Sequence, residues 1–160
     1  MDKEISALKE KIRSDNWETC KSAVDRLAEI NTEDSTTILL DMLRSGDSQI
    51  RNLSADAMRE THNQKYFTPL IKRIKELGAK GQIGTLVCAL ENLDCSRNLY
   101  DIADLNLNAG ENMEIKQSTT AILNRQAFRL TNKEFEDVKN LLDKFDYTID
   151  GFDVRYKMED

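Results

Sequence analysis

A two-residue step recurs along this chain at near-constant spacing. Leu27, Met58, Leu93 and Leu123 each follow a small or hydroxyl residue four positions earlier, at Ala23, Ser54, Ala89 and Thr119. The gaps between successive steps are 31, 35 and 30 residues. A period of that length belongs to stacked helical hairpins, since a single hairpin cannot bury its apolar face alone and must bury it against its neighbours. The turn chemistry agrees. Strands need turn residues every ten positions or so, whereas one proline and six glycines in 160 residues leave long stretches rich in Leu, Glu, Lys and Ala. That length is about one domain, enough to bury roughly two-thirds of the unfolded surface.

Helix punctuation divides the chain into four hairpins. The first pairs residues 2–13 with 16–30 across Ser14-Asp15-Asn16, where Asp or Asn can cap the second helix. The second pairs 33–44 with 48–61, with Gly46 suited to a left-handed stop and Asp47 to the next cap. The third opens with Thr68 as cap and Pro69 in the first helical position, ends at Gly78-Ala79-Lys80-Gly81, and is completed by a helix over 83–94. The fourth pairs 97–107 with 112–125. A last helix begins at Thr131, where Glu134 completes a capping box, and carries Phe135, Val138, Leu141, Leu142 and Phe145 at helical spacing. Beyond it, apolar residues mostly alternate around Asp150-Gly151, the pattern of a β-hairpin that caps the end of the stack, with a dedicated binding arm as the other reading.

Within SGDSQIRNLSADAMRET (45–61), Asp47, the aliphatic-Arg pair Ile50-Arg51, and then Ser54, Ala57 and Met58 resemble the second helix of a HEAT or HEAT-like repeat. The aliphatic-Arg pair is kept in this repeat alone; the small-to-large step is kept in all four, over residues 5–125. The resemblance implies an all-α, right-handed α-α superhelix (solenoid) of about four HEAT-like hairpins, with a single domain over 1–145 and a short tail over 146–160. HEAT repeats are mainly protein-binding scaffolds. HEAT-like relatives also include bilin lyases, a DNA glycosylase group and small bacterial immunity or antitoxin proteins.

Placing each second helix on a wheel of ~100° per residue sets Asp25, Asp56 and Glu91 on the face opposite the apolar one, with Ala121 breaking the row. Glu18, Glu29, Glu60 and Glu114 flank them, against Lys21 and Arg125. In a HEAT-like stack this face lines the concave side, so the expected site is an acidic ladder for a basic protein partner. The helix over 83–94 is apolar nearly all round, which places Val87 and Cys88 either in the interior or at an apolar centre inside the acidic rim.

Charge distribution supports the choice of partner. Residues 1–80 carry 14 basic and 14 acidic side chains; residues 81–160 carry 9 and 15, so the net charge of −6 sits in the second half. Nucleic-acid binders show the opposite sign. The N-terminal stretch is charged and no apolar run approaches ~20 residues, so neither a secretory leader nor a membrane span is expected and a reducing cytoplasm is the expected location. Cys20, Cys88 and Cys95 form no zinc spacing with the single His62, so no metal and no cofactor are expected.

His62 lies at a helix end, where it favours the dipole, and the glycines of residues 78–84 lack the Gly-Lys-Ser/Thr of a phosphate loop. Trp17 reads as a core plug at the N-terminal end, with an exposed recognition aromatic as the other reading. No constellation of acid, base and nucleophile appears, so the expected function is non-enzymatic protein binding. An immunity or antitoxin protein and a small-ligand or bilin-lyase-like protein stand as alternatives.

Overall fold

The computed structural model describes residues 2–78 and 82–159, and these are mostly helical. Helices α1 (Asp2–Lys11) and α2 (Trp17–Ile30) form the first hairpin, and α3 (Glu33–Leu43) and α4 (Ser48–Thr61) the second. Helices α5 (Phe67–Leu77) and α6 (Gly84–Cys88), the latter continued by a 3-10 turn over Ala89–Asn92, form the third. The fourth is α7 (Leu99–Leu107) with α8 (Met113–Arg125). Strand β1 (Ala127–Leu130), α9 (Asn132–Asp143) and β2 (Arg155–Met158) complete the chain. Within each hairpin the two helices touch, and α2, α4, α6 with its 3-10 turn, and α8 touch in chain order, forming one continuous layer of second helices.

All eight residues of the repeated step are buried. The small positions let the helices approach, and the hydroxyl ones bond across the gap. Ser54 Oγ donates to Leu39 O at 2.6 Å, and Asn106 Nδ2 donates to Thr119 Oγ1 at 2.9 Å. The third step differs from expectation because the helix tightens at Ala89 and stops at Asn92, leaving Leu93 in extended backbone. Leu93 still enters the core, carried there by the turn rather than by a helix.

Asn16, Asp47 and Asn112 cap α2, α4 and α8 through their side chains, and Thr131 with Glu134 closes a capping box on α9. Two other helix ends, the stop at Gly46 and the start near Thr68, take a different form. Gly46 is not left-handed; the last carbonyls around α3 are held by guanidinium groups, Arg51 Nη1 on Ser45 O and Gly46 O, and Arg73 Nη2 on Arg44 O and Ser45 O. With those carbonyls satisfied by side chains, no left-handed residue is needed there. Asn31 and His62 take the left-handed stops of α2 and α4. Thr68 does not cap α5, which begins at Phe67 directly after a 3-10 turn capped by Asn63. Of the loop expected over 78–81, Gly78 has φ +60° and the other three positions lie outside the described residues.

A set of side-chain amides joins the loops that follow the second helices. Asn63 Nδ2 donates to Asn31 Oδ1 at 2.8 Å. Gln64 exchanges two bonds with the backbone of Asp94, both 2.8 Å, and Gln126 bonds Cys95 N at 2.8 Å and Leu93 O at 2.9 Å. These rungs recur at nearly the repeat period and fix the spacing of successive hairpins.

The tail departs from the hairpin expectation. Ile149 and Phe152 sit three apart around a 3-10 turn at Asp150–Phe152, which puts both on one side against the core, and Asp153 reverses the chain in the left-handed region. Strand β2 then pairs with β1 in parallel, Ala127 opposite Arg155 through Leu130 opposite Met158. Arg155 Nη2 caps α8 by donating to Asn124 O and Arg125 O, and Arg97 pairs with Glu159 at 2.8 Å.

Candidate functional site

The layer of second helices brings the expected acidic residues onto one surface. Between α2 and α4 lies an open groove of about 520 Å³, lined by Lys21, Asp25, Glu29, Asp56, Arg59 and Glu60. Further along, the face continues over Glu91 in the 3-10 turn and Glu114 on α8.

The ladder alternates in sign instead of being acidic throughout. Lys21 Nζ lies 2.6 Å from Asp25, within one turn of α2. Glu91 receives Arg59 at 3.3 Å and Arg125 at 4.0 Å, and its side chain is only 14% exposed. Glu91 is thus a fastener between α4, the 3-10 turn and α8, with little of its carboxylate left for a partner. Glu29 pairs with Arg26 at 2.9 Å, and the same guanidinium reaches Glu4 at 2.8 Å to tie α1 to α2. Among the described residues, Glu18, Asp56, Glu60 and Glu114 have no cation within ion-pair distance and remain the unneutralised acids of the face.

Asp56 is the most distinctive of these. Asp56 is exposed on α4, yet the groove walls around it desolvate its carboxyl in part and push it above the ordinary carboxylate range; Arg59 opposes the shift and Glu114 adds to it, with Lys21 and Asp25 acting more weakly in opposite senses. A carboxylate partly desolvated and not directly paired is one whose charge an incoming cation would stabilise.

Val87 belongs to the interior. It is fully buried, so the reading that made it an exposed apolar contact is overturned, and the physical reason is enclosure of α6 by α4, α5 and α8. Cys88 is half-buried beside α8, its Sγ 3.0 Å from Ser118 Oγ and 3.5 Å from Glu114 Oε1. Burial raises its thiol pKa, with the Ser118 contact opposing and Glu114 adding, which is the reverse of an activated thiolate. Gly84 makes this corner possible: a Cβ there would run into the Glu114 carboxylate. Cys95 is buried and pushed up to about 12, and Cys20 is buried with its Sγ against Ile12 O at 3.3 Å.

Trp17 is 45% exposed at the start of α2, so it plugs no core. His62 ends α4 on the surface. Among the described residues no group of three His, Cys, Asp or Glu side chains could hold a metal ion. None of the described helices is long and apolar enough to cross a membrane.

Arg59 is the residue that sequence reasoning missed. It lies three positions after Asp56, one turn along the same helix face, so the wheel contained the signal; what it did not contain was the reach of a long side chain to Glu91 in the next hairpin. The chain matches no protein-family model and no curated protein in sequence.

Proposed function

We propose that this chain is a HEAT-like, right-handed α-α superhelix acting as a non-enzymatic, cytoplasmic protein-binding module, with a basic protein docking on the face formed by α2, α4, α6 and α8. The observation that carries the reading is the groove at Asp56: a partly desolvated carboxylate without an ion-pair partner among the described residues, flanked by Glu60 and with Glu114 close enough to raise its pKa. The serial contacts of the second helices, the buried repeat step and the amide rungs between loops support the stacked architecture. Such a surface orients and accelerates a cationic partner more than it adds affinity. The groove is wide and charged on its walls, unlike the enclosed apolar cavities that hold small ligands, which favours a macromolecular partner.

The test is capture from an extract of the native cell by the tagged full chain, at low and high salt, beside the double variant Asp56→Lys/Glu60→Lys. One basic protein should be held at low salt, released at high salt, and not held by the variant. Equal capture by the variant would remove the acidic groove as the docking surface; a small molecule carried through purification instead of a protein would favour the ligand-binding alternative.

A further inference from the structure

We infer that β2 is a self-complementary edge through which two copies of this chain pair. The phase of the ladder decides which side of each strand is open. In a parallel pair, both peptide groups of one residue face the same neighbour, and alternate residues face opposite ways. Glu159 N–H donates to Leu130 O at 2.8 Å, so Glu159, Lys157 and Arg155 turn their peptide groups toward β1, while Tyr156 and Met158 turn theirs outward. On β1 the phase is consistent: Arg129 N–H points away from β2 and donates to Ser96 O at 2.8 Å. The outer side of β1 is therefore occupied, and among the described residues the outer side of β2 is the open edge of the sheet. A two-stranded sheet is marginal and gains from further strands.

What should occupy that edge follows from its side chains. All four residues of β2 are exposed, with Tyr156 at 36% and Met158 at 38% despite their apolar surface. Tyr156 is held in place by Phe135, the ring centroids 5.7 Å apart. Consider an antiparallel pair of β2 strands with its two-fold axis at Lys157. Tyr156 of each copy then lies opposite Met158 of the other, so outward peptide groups meet outward peptide groups and form four hydrogen bonds. Arg155 lies opposite the second copy's Glu159, whose carboxylate, already held by Arg97 of its own chain, would then bridge two guanidinium groups at each end. Arg155 keeps Nε and Nη1 for this, since only its Nη2 is engaged on α8. Moving the axis to Tyr156 would instead set Arg155 against Lys157 twice. The sequence Arg155-Tyr156-Lys157-Met158-Glu159 thus complements itself in one register, with a single defect where Lys157 faces its own copy. A contact of five residues per chain lies at the weak, transient end of protein interfaces.

Sedimentation equilibrium of the full chain, from micromolar to near-millimolar concentration, tests this. The expected result is a reversible monomer–dimer equilibrium. Met158→Pro removes one outward N–H and no bond to β1, so it should yield a monomer with unchanged helical circular dichroism. Lys157→Thr relieves the like-charge contact on the axis and should tighten the dimer by about two- to fivefold. A monomer at every concentration would overturn the inference, as would a dimer that Met158→Pro leaves intact or that Lys157→Thr weakens. None of these readouts depends on the groove around Asp56.

Discussion

At the scale of single residues, the same side-chain type does opposite work according to its neighbours. Asp25 and Glu91 are paired and serve the fold, whereas Asp56, one hairpin from either, carries its charge partly desolvated and without an ion pair. Its carboxyl pKa is raised on folding, so between the unfolded and folded values the native state binds more protons than the unfolded chain, and stability falls as pH rises through that window. Asp56→Asn should therefore raise Tm at about pH 7, only slightly because the side chain is exposed and screened by solvent, with the gain vanishing below the unfolded carboxylate pKa. Thermal melts at pH 3.5 and 7 (both about) check the sign; a loss of Tm at neutral pH would show that the carboxylate is stabilising after all. The wheel drawn from sequence found Asp56, since azimuth is local information. It treated Asp56 and Glu91 as equivalent because the distance from Arg59 to Glu91 is set by how two hairpins dock.

At the scale of elements, helices were legible because their caps and periodicity lie within a dozen residues. Asn16, Asp47, Thr131 and Glu134 act where local rules place them. Apart from Thr68, displaced by the neighbouring 3-10 turn, the exceptions involve a distant group. Gly46 is relieved of its role by Arg51 and Arg73, and the third second-helix tightens into a 3-10 turn where Asn92 reaches Arg59 O at 3.1 Å and Glu91 takes two arginines. The amide rungs act at this scale too, and Gln126 serves two backbone groups of the preceding loop. Gln126→Ala would leave Cys95 N and Leu93 O without those partners and should cost about 1–3 kcal/mol, measured by urea unfolding. Hydrogen exchange should localise the loss to the residue 93–96 loop; an unchanged midpoint would mean that water replaces both bonds.

Across the whole molecule, one apolar core runs from Ile5 to Leu142 and the tail closes its far end. The tail is bound by a parallel strand pair, a guanidinium cap on α8 and the Arg97–Glu159 ion pair, with Ile149, Phe152 and Val154 against the core. Because the ties of the tail run to β1, α8 and Arg97 near the end of the chain, removing residues 147–160 should lower Tm by about 5–10 °C and leave the helical signal of the remaining chain largely intact. Circular dichroism melts of the truncated chain test this, and loss of the whole helical signal at 25 °C (about) would show that the tail is integral to the stack.

The sequence by itself determined the helices and their pairing into hairpins, the buried small-to-large step and which helix face carries the acids. Each of these depends on residues one to four apart, or on a repeat that can be counted. Tertiary structure alone decided that Glu91 is neutralised by Arg59 and Arg125, that Val87 is interior and Trp17 is not, and that the tail returns as a parallel strand to β1. Those outcomes depend on contacts between residues some thirty positions apart, whose meeting is fixed by how whole hairpins pack and which no local pattern encodes.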